Sequence, residues 1–263
     1  ITCRFQDYSM RIKLLELLLK NGANPNELNG NNESPLCNIF KNGVYNKKNV
    51  EYLKSDPLFF INNLSALELL FEYGAKIDIK DEYPPLLIPC LKNDIDGVRY
   101  LLKKGADPNK VFLDTHNCFN FSSPMNIACQ KYSPDILRTL MAYGGDVSGK
   151  GMNLGNPLIK ACSHGNKDII KILLKRGADP AIMNNKKKSA LFSCIEKDDL
   201  KTANYILSRK FNVDVNGLGH ENNQTPLGVC CQGGSVEMVI LLLKRNADPN
   251  IKTKNGSMTC IEE

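Results

Sequence analysis

Asn156-Pro157-Leu158-Ile159-Lys160-Ala161-Cys162-Ser163-His164-Gly165-Asn166-Lys167-Asp168-Ile169-Ile170-Lys171-Ile172-Leu173-Leu174-Lys175-Arg176-Gly177-Ala178-Asp179-Pro180 reads as two helices and the turn that leaves them. The opening phrase is a helix start: a polar residue caps, and proline takes the first helical position, where its missing N–H costs nothing. Ile169, Ile170, Ile172, Leu173 and Leu174 then recur at helical spacing as the apolar face of a second helix. Gly177 supplies the left-handed conformation that ends a helix, and the Asp-Pro phrase turns the chain into a β-like finger.

The same pattern fills the chain. Seven phrases of the Gly-Ala-Asp-Pro-Asn kind begin at Gly22, Gly74, Gly105, Gly144, Gly177, Lys210 and Asn246, each after a Leu-rich helical stretch. Six openings of the Ser/Thr-Pro-Leu kind begin at Ser34, Pro84, Ser123, Asn156, Ser189 and Thr225. Five of the six units run 21 residues from opening to glycine position, a fixed distance that marks one repeated supersecondary element. The unit at Ser34 is the exception. It runs 40 residues to Gly74, which places an insertion of 19 residues at 44–62, between its two helices. The finger from Lys110 to Ser122 is six residues longer than usual, and the two insertions are expected on opposite edges.

These phrases resemble the ankyrin repeat, whose motif is Thr-Pro-Leu-His-x-Ala-Ala, then Gly-His, Val-x-x-Leu-Leu and Gly-Ala-Asp, and the resemblance covers nearly the whole sequence. It implies an all-α repeat solenoid: about five full repeats, partial repeats at both ends and short β-like finger loops. The single domain 1–263 then divides into a partial repeat at 1–33, repeats starting near 34, 84, 123, 156, 189 and 225, and a partial repeat at 258. The His of the motif is replaced throughout, by Cys37, Leu87, Asn126, Ile159, Phe192 and Gly228. Each lost hydrogen bond is worth about 0.5–1.5 kcal/mol, partly recovered by apolar packing, so thermal unfolding is expected below that of consensus arrays. Asp94 to Leu102 is also similar to the ankyrin region of ankyrin-and-MYND-finger proteins, although the Cys/His zinc array of that finger is absent from this sequence.

Composition narrows the class further. A hydrophobic fraction of 42% and a charged fraction of 24% are ordinary for a soluble chain and argue against collagen-like, disordered or membrane-embedded alternatives. The net charge of +6 comes from 34 basic and 28 acidic residues, too balanced to call for nucleic acid. The ten cysteines include no C-x-x-C pair. Cys90, Cys129, Cys162, Cys194, Cys230 and Cys231 fall at the small-residue positions of the first helices, where they act as small hydrophobes. Unpaired thiols in this number point to a reducing, intracellular compartment, cytoplasmic or nuclear. The first residue is Ile1 and the pattern breaks off within a repeat at Glu263, so a window of a longer protein is expected.

The three histidines, His116, His164 and His220, suggest no catalytic dyad, and neither a nucleophile elbow nor a phosphate-binding glycine loop occurs. No catalytic, cofactor or metal site is expected. The family resemblance instead implies a partner docked on finger tips and first helices. By position the first-helix sites are Lys92, Lys131, Ser163, His164, Glu196, Lys197 and Gln232, and the finger-tip sites are Tyr83, Asn185, Lys186, Lys187 and Gln224. Their mixed, slightly basic chemistry suits an acidic or mixed protein surface. The expected role is a scaffold or adaptor, monomeric within this window. The alternatives are a nucleotide- or RNA-sensing array, for which Lys92, Lys131 and Tyr132 supply a thin basic and aromatic set, and the substrate-recognition part of a ubiquitin ligase. The apolar run Leu58-Phe59-Phe60-Ile61 in the insertion either packs on its own repeat or offers a patch.

Overall fold

The computed structural model describes residues 8–41, 59–77, 84–111, 123–148, 156–208, 210–219 and 223–252. They form thirteen helices: α1 (Tyr8–Lys20), α2 (Pro35–Lys41), α3 (Phe59–Glu72), α4 (Leu87–Lys92), α5 (Ile95–Lys103), α6 (Pro124–Gln130), α7 (Pro134–Ala142), α8 (Pro157–Ser163), α9 (Lys167–Lys175), α10 (Ala190–Glu196), α11 (Leu200–Ile206), α12 (Pro226–Gly233) and α13 (Val236–Lys244). Short helices are marginal alone, and here most start on a local signal and are held by their neighbours. Ser34, Ser123 and Thr225 accept from the amide three residues on at 3.1, 3.2 and 3.1 Å. Asn156 accepts from the amides of both Leu158 and Ile159. Asp94, Asn166 and Asp199 cap the second helices in the same way.

The helix turn inside each unit needs one left-handed residue, nine positions after the opening. Asn93, Tyr132, Gly165, Asp198 and Gly234 all have positive φ there. Asn, Asp and Gly enter that conformation readily, whereas the Tyr132 side chain crowds its own backbone at φ 58°.

Helices stack in two layers. The first helices α2, α4, α6, α8, α10 and α12 each pack on the next, and α2, α4, α6, α8, α10 and α12 also pair with α3, α5, α7, α9, α11 and α13. One apolar seam therefore runs from Leu19 through Leu67, Leu101, Leu137, Leu173 and Ile206 to Leu242. The positions where the motif has His are buried: Cys37 and Leu87 belong to this seam, and Ile159, Phe192 and Asn126 are buried as well. Apolar packing there replaces a polar contact.

Each of the six openings heads a helix pair, with α1 as a lone second helix before them, as the all-α repeat solenoid requires. Two finer sequence expectations change. Helix α3 begins at Phe59, so the last four positions of the 44–62 insertion extend the second helix, and residues 42–58 lie outside the described set, as do 112–122. The phrase starting at Lys210 is out of register. In the units at Pro84, Ser123, Asn156 and Thr225 the carboxylate that closes the finger turn lies 23 residues after the opening, at Asp107, Asp146, Asp179 and Asp248, where it accepts from the amide two residues on. In the unit at Ser189 this role falls to Asp214, which accepts from Asn216 N at 2.8 Å, 25 residues after the opening. Helix α11 ends at Ile206 and the chain bulges through Phe211 and Val213 before the finger begins.

Candidate interaction surface

Adjacent repeats are joined at the finger edge by single asparagine side chains. Asn109 donates from Nδ2 to the Gly144 carbonyl at 2.9 Å and accepts at Oδ1 from the Asp146 amide at 2.7 Å. Asn26 makes the same pair with Gly74 and Lys76, and Asn216 with Asn246 and Asp248. The equivalent positions in the units at Ser123 and Asn156 hold Ser148 and Ala181, so no amide clamp forms there. At the helix-turn edge a second set of links appears. The Ser133 hydroxyl donates to Asn93 Oδ1, the Ser235 hydroxyl to Asp198 Oδ1 at 2.5 Å, and the Tyr132 phenol to the His164 carbonyl. These links order the two edges and leave the first-helix face between them.

The Lys186-Lys187-Lys188 run lies in a finger tip wrapped around one side chain. Asn184 Oδ1 accepts from the amides of Lys186 and Lys188, both at 3.0 Å, as Asn29 does for Asn31 and Glu33 in an earlier finger. Lys187 Nζ donates to Asn223 Oδ1 of the next finger at 2.8 Å. Lys188 turns back along the first-helix face, and its ammonium meets the Glu196 carboxylate at the end of α10. Lys160, on the neighbouring α8, is half-buried; burial first, and the nearby Lys188 second, push its ammonium below the usual lysine range.

Of the positions singled out by sequence, Lys131, Asn185, Lys186, Lys187, Glu196, Lys197 and Gln232 are exposed. Ser163 and His164 are half-buried and engaged: the Ser163 hydroxyl donates to the Ile159 carbonyl at 2.8 Å and contacts the Ser193 hydroxyl at 3.2 Å, while His164 Nδ1 lies 2.9 Å from the Lys160 carbonyl. Lys92 and Gln224 are buried, at 8% and 3% exposure, and so are poorly placed to meet a partner. The Gln224 backbone carbonyl accepts from Gly219 in the antiparallel bridge that closes the finger. Tyr83 lies outside the described residues. Position counting missed Lys160 and Lys188. Lys160 had a readable signal: the same place in the other first helices holds Asn38, Ile88, Ile127, Ser193 and Val229, none of them charged.

The thiols sit in the seam. Cys37, Cys90, Cys129, Cys162, Cys194 and Cys230 are buried, with Cys231 partly exposed. Burial pushes the Cys90 and Cys129 thiols far up, and Cys194 is raised by its contact with the Cys162 thiol and then by burial, so these sulfurs stay protonated. Among the described residues no group of His, Cys, Asp or Glu could hold a metal ion, and no helix is long and apolar enough to cross a membrane.

Paired helices, left-handed turns and fingers joined edge to edge define a repeat scaffold that presents a polar face. The chain belongs to the ankyrin repeat family: the family model described as ankyrin repeats (3 copies) matches residues 7–112, 111–184 and 177–253. Ankyrin repeats are in general protein–protein interaction modules. Among curated proteins the chain is similar to the human transient receptor potential cation channel subfamily A member 1, with 30% identity over 194 residues, 70% of this chain and 16% of that protein. It is similar as well to the ankyrin repeat and KH domain-containing protein mask-1 of Caenorhabditis elegans, with 26% identity over 231 residues, 75% of this chain and 8% of that protein. The chain thus spans less than a fifth of the length of either relative. In fold it resembles the human ASB11 ankyrin repeat domain (TM-score 0.63, 19% identity, 88% of this chain and 91% of that one). The ankyrin repeat domain of Bcl-3, a member of the IkappaB family, is similar too (TM-score 0.65, 21% identity, 88% of this chain and 93% of that one).

Proposed function

We propose that this array is the recognition part of a larger protein, holding a protein partner against its finger tips and first-helix face without doing chemistry itself. The observation that carries the reading is the division of roles along each first helix. Its seam side is fully buried, while Lys131, Glu196, Lys197 and Gln232, with finger-tip Asn185, Lys186 and Lys187, stay exposed. Side chains fixed on a rigid stack lose little freedom on binding, which favours recognition of a folded or extended protein surface. The buried, protonated thiols fit a scaffold in a reducing intracellular compartment.

A photo-crosslinking amino acid placed singly at Lys197 or Gln232, and for comparison at Arg138 or Lys171 on the second helices, tests this in cells. Crosslinks to another protein are expected from the first two positions. Crosslinks only from the second-helix positions would move the binding face elsewhere.

A further inference from the structure

The charges of this array are not evenly placed. Carboxylates gather where second helices begin, and most are satisfied locally. Asp96 pairs with Arg99 at 3.7 Å, Asp135 with Arg138 at 2.9 Å and Asp168 with Lys171 at 4.0 Å, while Asp94 and Asp199 cap helix amides. From α4 to α12 the first helices contain one carboxylate, Glu196, against Lys92 and Lys160. Lys188 already occupies Glu196. The Lys160 ammonium, half-buried beside Lys188, has no carboxylate partner among the described residues.

We propose that the first-helix face at α8 and α10 docks an extended acidic polypeptide segment, one carboxylate of which pairs with Lys160 while another replaces Glu196 on Lys188. This names the partner chemistry for the binding face put forward above, and rests on that reading. A half-buried ammonium has already lost part of its hydration, so an incoming carboxylate gains more from it than from an exposed lysine. The partly exposed Ser163 hydroxyl at the end of α8 adds a polar group for a peptide backbone, while Ser193, which it contacts, is buried beneath it. Glu196 acts as an internal competitor that keeps weakly acidic segments out. A polypeptide fits better than single-stranded RNA because a row of stacking aromatics is missing: on α8 and α10 the one aromatic, Phe192, is buried, which leaves only the exposed Tyr132 ring near the end of α8.

The test is fluorescence anisotropy of the whole chain with a fluorescein-labelled poly-glutamate peptide at about 150 mM salt. Saturable binding is expected, weakened about tenfold or more by Lys160→Gln and by Lys188→Gln and unchanged by Lys171→Gln. Glu196→Gln is expected to tighten it several-fold, an effect that a structural role for Glu196 would not produce. Circular dichroism confirms folding of each variant, and the finger-tip change Lys188→Gln, outside the helices, keeps the test open if Lys160→Gln unfolds. Absence of saturable binding, or equal binding by both lysine variants and the wild type, overturns the proposal. So does labelled oligouridylate that binds more tightly than poly-glutamate and displaces it. Crosslinks from Lys197 and Gln232 alongside failed peptide binding would sink this inference alone, and crosslinks confined to the second helices would sink the reading beneath it.

Discussion

At Asn109 a single carboxamide holds two repeats, donating to one backbone carbonyl and accepting from one amide of the next finger. Only a side chain with both a donor and an acceptor can do this. Asn109→Ala is expected to lower the unfolding free energy by about 1–3 kcal/mol, measured by urea denaturation, because two backbone groups lose their partner. Asn109→Asp should be no better at neutral pH, since a carboxylate cannot donate to the Gly144 carbonyl. The reciprocal change, Ala181→Asn, offers the missing clamp to the Asn212 carbonyl and the Asp214 amide, and a raised Tm is the expected result. The Asn26 and Asn109 phrases were legible in the sequence, because Asn24-Pro25-Asn26 and Asp107-Pro108-Asn109 keep the same spacing from their glycines. Asn216 was not, since the chain after α11 carries two extra residues before Asp214, while the Lys210 phrase happens to fall at the usual distance from the opening. Asp94 shows a second residue-scale effect. Burial pushes its carboxyl up despite the bond from Gly97 N, and its Oδ2 has no partner among the described residues. A carboxyl raised in the folded state contributes stability that is present below the unfolded value, about 3.9, and lost as pH rises through the folded value. Asp94→Asn, an equally good cap, should therefore melt higher than the wild type at pH 7, with the gap closing below about pH 3.9.

The finger preceding α12 touches the helix of its own repeat more closely than its sequence suggests. A Cβ on Gly219 would stand 2.5 Å from the Lys187 carbonyl oxygen and 2.5 Å from the Phe192 ring. Neither neighbour can yield cheaply, since one is backbone and the other a fully buried side chain. Gly219→Ala is expected to destabilise the array by about 1–3 kcal/mol through overpacking, and Gly219→Ala with Phe192→Leu to recover part of that loss. First helices owe their close approach to small residues, which the sequence marked through its cysteines. A thiol reagent at pH 8 should leave Cys37, Cys90, Cys129, Cys162, Cys194 and Cys230 unmodified until denaturant is added; rapid native labelling of these six would contradict a packing role. Helix identity was readable because openings and apolar spacing are local. The burial of Lys92 and Gln224 was not, because it depends on which neighbour lies over them.

Across the molecule the amide clamps join the repeats that flank the centre and are absent at Ser148 and Ala181. The first helices α8 and α10 still meet firmly there, through apolar packing and the Ser163 to Ser193 contact. Hydrogen exchange should therefore run faster at the finger backbone near Asn212 than near Asp146, while amides of α8 and α10 remain protected alike. The general architecture was legible from seven similar phrases, since a repeat multiplies every weak local signal. The acidic-ligand face was not, because it arises from the meeting of Lys160 on one helix with Lys188 from another unit's finger. One consequence concerns load. If the array is pulled along its length, strain will collect where fingers lack a stitch, so the stack should gape at its centre before either flank gives way, hinged on the spine of first helices. A partner seated on α8 and α10 would then sit where stretching changes the spacing between its own anchor points.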